Sequence, residues 1–391
     1  GARSALFLPY KDLGIIIVDE EHDESYKSNT KPRYNAKDIS IYLGYKYNIQ
    51  IILGSATPSI SSFFKIPYFR LKTKFFSQSV NEIIFDESPL KLNNIVINKI
   101  IQTLEKKEQV IIFLPTRANF KYQVCTDCGK AVECPYCSVS MSLYRNMKAL
   151  KCHYCNFTHQ IPNQCPSCNT GIISNSRLGT AEVWEQLTEI FTNKIVEQFD
   201  RDKIKTDKQL RDLLNRFNNN KIDILVGTQM LSKGHDYHNV GLAIILGIDS
   251  ILNMESYKAR ENALSLAIQI AGRAGRKNNG EVLIQTKNKD FFEYYLKDSD
   301  YEEFLKEELE FRQTLYPPKI RVAKVIFASS NGYKAQLEML KYKDKISKDT
   351  DIQIIKFGEA GIKKISNKYR FELLLRSKSI KKMLEFLHYI S

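Results

Sequence analysis

The sequence predicts an α/β fold, with parallel sheets and flanking helices, a cysteine-knuckle insertion and a small C-terminal α+β unit. Three observations predict it. Short apolar runs at 15–18, 48–53, 109–114, 222–226, 242–248 and 281–286 read as strands. Segments of helical periodicity at 181–191 and 207–217 fall among them, and such alternation indicates a parallel sheet. All eight cysteines lie between Cys125 and Cys168 as four C-x-x-C pairs, within the second series of strands and helices.

A chain of 391 residues with 43% hydrophobic content has room for two or three domains with real cores. The formal net charge of +14 is spread along the chain, which favours a polyanionic partner, nucleic acid before membrane. Abundant Lys, Asn and Ile also fit an AT-rich coding sequence, so charge alone decides little. No run approaches the length of a membrane span, and no signal peptide opens the chain. The first residue is Gly1, and residues 1–9 already read as domain interior, so a fragment is expected. Regular C-x-x-C pairs fit structural metal in a reducing cytosol, not a disulfide framework. A cytoplasmic location with no membrane partner is therefore expected.

In chain order, the first element is Gly14–His22, Gly-Ile-Ile-Ile-Val-Asp-Glu-Glu-His. Its four β-branched residues suit a strand buried on both faces of a parallel sheet. Asp19, Glu20, Glu21 and His22 follow at once. Carboxylates stacked at a strand end need a compensating cation or hydrogen bonds. At the carboxyl end of an α/β strand that cation is commonly Mg²⁺ on a nucleotide; the alternative is an acidic surface turn. The next segment interleaves Tyr26, Lys27, Arg33 and Tyr34 around Pro32. Such residues can stack on bases and pair with phosphates, or pack a loop against its own domain. The strand at 48–53 runs into Gly54-Ser55-Ala56-Thr57-Pro58, a tight turn.

A second lobe starts near Phe76. Its strand at 109–114 is broken by Pro115, the cysteine block follows, and the lobe then resumes, which makes the block an insertion. A charged helix at 302–312 ends at Tyr316-Pro317-Pro318. The last unit, from about 319, reads as strand 322–328, helix 333–346, strands 352–357 and 369–376, and helix 380–389.

Three constellations carry chemistry. Each C-x-x-C knuckle presents two thiolates, so eight ligands make two closed tetrahedral Cys₄ zinc sites, structural or docking in role. Iron–sulfur clusters or a redox dithiol are the alternatives; His153 and His159 are not needed as ligands. Residues 222–236 read as a buried strand and a polar loop, with Gly227 and Gly234 for close approach, Thr228, Gln229, Lys233 and His235 as donors to phosphate, and Asp236 as an acceptor. Gln269–Arg276, Gln-Ile-Ala-Gly-Arg-Ala-Gly-Arg, ends a helix beginning near Lys258. Arg273 and Arg276, three apart, share a face suited to a triphosphate. A basic helix C-terminus is the competing reading.

Taken in order, Asp-Glu-Glu-His, Ser-Ala-Thr, Thr-Gln-Met-Leu-Ser-Lys-Gly-His-Asp and Gln-x-Ala-Gly-Arg-Ala-Gly-Arg resemble the motifs of superfamily 2 helicases. With eight cysteines inside the second lobe, Arg3-Ser4-Ala5 near the start and Tyr369-Arg370 near the end, the chain is similar to the primosomal protein N′ family of bacterial replication-restart helicases. The resemblance runs from residue 1 to 391 with loop-level gaps.

It implies RecA-like lobes, with residues 1–75 as part of lobe 1 and 76–124 with 169–298 as lobe 2. The zinc insertion is 125–168, and a linker helix with the C-terminal α+β domain is 299–391. It implies that Asp19 and Glu20 hold Mg²⁺ and position the attacking water, and that Gln269, Arg273 and Arg276 reach the phosphates. Glu21, His22, Gly234 and Asp236 go to the cofactor site. Arg3, Tyr26, Lys27, Tyr34, Ser55, Thr57, Thr228 and Lys233 go to DNA contact and coupling. It also implies nested metal pairing: Cys125, Cys128, Cys165 and Cys168 on one Zn²⁺, Cys134, Cys137, Cys152 and Cys155 on the other.

The implied activity is ATP-dependent 3′–5′ unwinding of DNA at stalled forks. The implied partners are forked and single-stranded DNA, single-stranded DNA-binding protein and the primosome helicase-loading proteins. The family's phosphate loop, G-x-G-K-[ST], does not occur in this sequence. The expectation is therefore that these residues alone hydrolyse no ATP, with a non-catalytic DNA- and zinc-binding remnant as the alternative. Two smaller departures are Ala181 within Gly179-Thr180-Ala181-Glu182, and Tyr144 where the family has histidine. A zinc-ribbon nuclease or transcription factor is a further alternative, disfavoured by the Ser-Ala-Thr and Gly-Arg-Ala-Gly-Arg segments.

Overall fold

The computed structural model describes residues 3–28, 32–71, 82–88, 90–115, 123–125, 127–128, 132–144, 149–152, 154–175, 179–200, 203–228, 237–254, 256–275, 280–348 and 351–390. Strand β1 (Ile15–Val18) pairs in parallel with β2 (Gln50–Leu53), and α1 (Ala36–Tyr47) lies between them in sequence and packs on both. Asn35 caps α1 by accepting the Lys37 N–H. Gly44 permits the close approach of α1 to β2, because a Cβ there would lie 2.4 Å from Ile51 Cγ1. One expectation is corrected. Burial of β1 on both faces fails, since Ile15 and Ile17 are 43% and 65% exposed. The reason is topological: β2 is its sole sheet neighbour among the described residues. Helix α2 (Ile60–Lys65) follows, capped by Ser59.

The next elements are β3 (Glu82–Asp86), α3 (Asn94–Glu105) and β4 (Gln109–Phe113). The cysteine segment then contributes β5 (Gln123–Cys125), β6 (Ser142–Tyr144), β7 (Ala149–Lys151), β8 (Thr158–Gln160) and β9 (Ile173–Asn175). After it come α4 (Thr180–Ile190), β10 (Val196–Phe199), α5 (Asp207–Asn218), β11 (Ile224–Gly227), β12 (Val240–Leu246), α6 (Asp249–Leu252), α7 (Ala259–Ala271) and β13 (Glu281–Gln285).

Six of these strands form one parallel sheet in the order β10-β11-β4-β12-β13-β3. The alternation of strand side chains explains its two cores. Ile111, Phe113, Leu225, Ala243, Ile245 and Ile284 pack with α5 and α7, while Val110, Ile112, Val226, Ile244 and Leu283 pack with α3 and α4. Because β4 and β10 belong to one sheet, the cysteine segment is inserted between strands of that sheet. The edge strands β3 and β10 are absent from the sequence-based expectation. Their four- and five-residue runs carry Glu, Gln and Asp, and only pairing with β13 and β11 makes them strands.

The chain continues through α8 (Lys289–Glu293) and α9 (Tyr301–Arg312) to β14 (Arg321–Ser329), α10 (Gly332–Ile346), β15 (Gln353–Ile365), β16 (Lys368–Ser377) and α11 (Ile380–Ile390). The last three strands form an antiparallel sheet, β14-β16-β15, closed by Phe327, Met339, Ile346, Leu373 and Met383. Strand β15 runs well past the expected end at 357, because its later residues pair with β16 in a long hairpin. Among the described residues no helix is long and apolar enough to cross a membrane.

Candidate functional site: a polar junction and two cysteine centres

The loops leaving β1 and β2 lie side by side at the carboxyl ends of parallel strands, where ligands of open sheets bind. Glu20 takes a left-handed φ of 49° and donates its N–H to Asp19 Oδ1 at 3.0 Å. Glu21 N–H reaches the Gly54 carbonyl at 3.0 Å, tying the acidic turn to the Gly-Ser-Ala-Thr turn. Tyr26 donates its hydroxyl to the Asp19 carbonyl at 2.5 Å.

Facing these loops is one side of α7. Glu261, Ser265 and Gln269 recur every fourth residue and so form a polar stripe on a helix that is mostly apolar and buried from Ala263 to Ala271. Each reads a different part of the opposite loops. Glu261 Oε1 accepts the Ile60 N–H at 3.1 Å. Ser265 and Thr57 share a hydrogen bond between hydroxyls at 2.7 Å. Gln269 Nε2 lies 2.6 Å from His22 Nε2, 3.2 Å from Thr57 Oγ1 and 3.1 Å from Ser265 Oγ. With Nε2 engaged by the amide, His22 Nδ1 meets Ser55 Oγ at 2.7 Å and stands 3.5 Å from Glu20 Oε2. Thr57 N–H donates to Ser55 Oγ at 3.0 Å, closing the network. The structure thus brings Glu20, His22, Ser55, Thr57 and Gln269 together across residues far apart in sequence. Asp19 stands beside them and is exposed.

Arg273 is buried just beyond α7, and burial lowers its guanidinium from the ordinary value while the charges of Tyr237 and Glu20 oppose that shift. The expectation of a helix carrying both arginines on one face is corrected. Helix α7 stops at Ala271, Gly272 caps it, and Gly275 takes a φ of 72°. Arg276, Lys233, Gly234, His235 and Asp236 lie outside the described residues. Thr228 is buried directly after β11.

Other expectations change in kind. Glu21, expected at a cofactor, is engaged by the fold instead. It is buried, with Lys37 Nζ at 2.7 Å from Oε2, the Ser59 N–H at 2.5 Å from Oε1, and the Ser62 hydroxyl at 2.8 Å from Oε2. Burial alone would raise this carboxyl; the Lys37 ammonium and the bonds from Lys37, Ser59 and Ser62 outweigh it and hold it below its ordinary range. In the loop expected to meet DNA, several groups pack the loop down. Arg3 donates to the Lys27 carbonyl at 2.5 Å, and Tyr34 meets Phe7 edge-on at 5.1 Å between centroids. The Lys27 side chain remains exposed.

Sequence reasoning missed Glu261, Ser265, Lys37 and Arg312. The spacing of four in an apolar helix was the available signal for the first two. Arg312, on α9, is 2% exposed and bridges Glu261 at 3.1 Å and Glu308 at 3.2 Å, so α9 braces the helix that carries the polar stripe.

The eight thiols gather into two groups of four, Cys125, Cys128, Cys165 and Cys168, and Cys134, Cys137, Cys152 and Cys155. Within each group the sulfurs lie within 4.8 Å of one another, with pairs at 3.5, 3.7 and 3.6 Å. A zinc–sulfur bond of about 2.3 Å gives a tetrahedral edge of about 3.8 Å, so both groups fit structural Zn²⁺. The knuckles supply N–H donors to thiolate: Asp127 and Cys128 to Cys125 Sγ, and Ser167 to Cys165 Sγ. The grouping is the nested pairing, and among the described residues no histidine takes part in it.

Comparison with known proteins agrees with this geometry. Residues 169–278 match the helicase conserved C-terminal domain, and residues 134–159 match the PriA DNA helicase Cys-rich region domain. The replication restart protein PriA of Helicobacter pylori (strain ATCC 700392 / 26695) is 44% identical over 393 residues, covering 99% of this chain and 63% of the relative. That of Bacillus subtilis (strain 168) is 33% identical over 414 residues, covering 100% and 51%. That of Borreliella burgdorferi is 32% identical over 392 residues, covering 97% and 59%. The chain thus spans less than two thirds of the length of these curated relatives. Two family matches, identity along nearly the whole chain and the two thiol centres agree: over nearly its whole length the chain is similar to the replication restart protein PriA, and it matches a C-terminal portion of it.

Proposed function

We propose that these residues are the coupling portion of an ATP-dependent 3′–5′ DNA helicase that acts at stalled forks to restart replication in the cytoplasm. The observation that supports it best is the direct contact of His22, in the acidic turn after β1, with Gln269 on α7. A junction of this kind lets a change at the turn be felt by the helix and by the six-stranded sheet it packs on.

In this reading residues 1–75 are part of lobe 1, 76–124 and 169–298 lobe 2, 125–168 the zinc insertion, and 299–391 the linker helix with its α+β domain. Asp19 and Glu20 are the residues that would hold Mg²⁺, which would neutralise phosphate charge, and they would orient water. Arg273 and Arg276 stabilise phosphate charge, and Gln269 and His22 relay the state of that site to Ser55 and Thr57. Lys27, Lys233 and Thr228 contribute to DNA contact, and single-stranded DNA-binding protein and helicase-loading proteins are the protein partners. The cradle for the β- and γ-phosphates comes from sequence outside these 391 residues, so this chain alone hydrolyses no ATP. A non-catalytic DNA- and zinc-binding role is favoured by the absence of G-x-G-K-[ST] and is the rival reading.

Unwinding separates the two. A longer protein that carries the phosphate loop together with this chain is expected to displace a strand from forked DNA only with ATP, moving 3′ to 5′. Its DNA affinity should fall by roughly a thousandfold or more between about 50 and 200 mM salt, as counterions released from phosphates require. ATP-independent binding with no strand displacement would overturn the helicase reading in favour of the rival.

A further inference from the structure

The second cysteine centre is not built from the cysteine segment alone. The turn of the β15–β16 hairpin, Ser366-Asn367, takes φ values of 47° and 62°, the doubly left-handed geometry of a tight two-residue hairpin. That turn lies against the knuckle of Cys134 and Cys137. Ser366 donates its N–H to Cys137 Sγ at 3.2 Å, across 229 residues of sequence. Two backbone bonds flank it: Ser138 N–H to the Lys364 carbonyl at 2.8 Å, and Asn367 N–H to the Tyr136 carbonyl at 2.9 Å. Ile365 packs on the small apolar cluster around the site, beside Val139, Phe157 and Ile161.

The first centre provides the contrast. There Cys168 Sγ accepts from the hydroxyl of Thr170, two residues away. Cys137 instead takes its donor from the hairpin of another sheet. A zinc ion with four thiolates carries net negative charge, and N–H donors to sulfur offset it; the loss of such outer partners typically weakens a metal site by about 10–100-fold. Linkage makes the effect reciprocal: if the docked hairpin tightens the metal, the metal must favour docking to the same degree.

We propose that the β15–β16 turn completes the Cys134–Cys137–Cys152–Cys155 centre as a positioning element, so that zinc there clamps the C-terminal sheet onto the cysteine segment. The first centre has no part in the clamp.

The test uses the zinc-loaded 391-residue chain. Ile365→Glu places a charge at the packed tip without replacing a cysteine. It is expected to weaken one of two bound zinc ions by about 10–100-fold in competition with a chromogenic chelator, leaving the other unchanged. Cobalt(II) substitution should show an altered thiolate charge-transfer band for that one site, a readout that loss of packing elsewhere does not produce. Reciprocally, Cys152→Ser with Cys155→Ser should speed hydrogen exchange in the peptide containing Ser366 and Asn367, and Cys165→Ser with Cys168→Ser should not. Should a cysteine variant fail to fold, stepwise chelation of the unmodified chain gives the same comparison, with exchange at the turn rising only in the step that empties the Cys134–Cys137–Cys152–Cys155 centre. Equal zinc affinities and unchanged cobalt spectra in Ile365→Glu would overturn the proposal, as would hairpin exchange indifferent to the second centre.

Discussion

Chelating zinc from this chain is expected to unfold residues 123–175 while the six-stranded sheet stays folded. The cysteine segment has little else to hold it. Its five strands are three residues each, and its apolar core is Val132, Met141 and Leu150 packed among Cys134, Cys137 and Cys152 themselves. Structural Cys₄ zinc contributes on the order of 10 kcal/mol of folding free energy, more than so small a core supplies. The sheet does not depend on it. β4 and β10 each pair with β11, and the central strands β4, β11 and β12 are buried throughout. Metal analysis should give two Zn²⁺ per chain, and proteolysis after chelation should cut within the cysteine segment before anywhere in the sheet. A different stoichiometry, or loss of the sheet in the same transition, would contradict this.

Arg312→Met is expected to cost about 3–5 kcal/mol, the range for removing one partner of a buried ion pair. The guanidinium is buried, bridges Glu261 and Glu308, and lies 5.2 Å from the centroid of the Tyr257 ring. Arg260 still holds Glu308 at 3.1 Å in the variant, while Glu261 loses its arginine and, among the described residues, keeps the Ile60 N–H. The expected consequence reaches beyond stability. Glu261 is the residue through which α7 holds the start of α2, so loosening it loosens the junction. Urea unfolding of the variant beside the unmodified chain measures the loss, and adding Glu261→Gln should recover part of it by removing the stranded charge. A change below about 1 kcal/mol would place the network among weak surface pairs.

Much of this architecture is legible in the sequence because it is local. Buried central strands show as runs without a charged or polar side chain, as in Val110–Phe113 and Val240–Leu246, and thiol knuckles show as C-x-x-C. What is illegible is set by long-range pairing. Ile15 and Ile17 read as core, yet only the neighbours of β1 decide whether they are covered. The helix of Gln269 reads as continuing to Arg276, and the strength of Gly272 and Gly275 as breakers becomes plain only once Gly275 N–H is seen to bond the Val240 carbonyl at 3.0 Å. The acidic turn was legible as a cluster, but not its division of labour. Glu21 is drawn into the fold by Lys37 and α2, and Glu20 is left facing His22. The donor from Ser366 to Cys137 has no signature in sequence, because a backbone N–H belongs to every residue but proline.

The central claim is that the acidic turn after β1 performs phosphate chemistry and that α7 senses it through Gln269. ATP hydrolysis with and without DNA, in a longer protein that carries the phosphate loop together with this chain, tests it directly. Glu20→Gln removes the charge that positions water and should abolish hydrolysis while DNA affinity is unchanged. Gln269→Ala should leave slow hydrolysis that DNA no longer stimulates, since the link from His22 to α7 is cut. DNA-stimulated hydrolysis at the unmodified rate in both variants would show that the nucleotide site lies elsewhere.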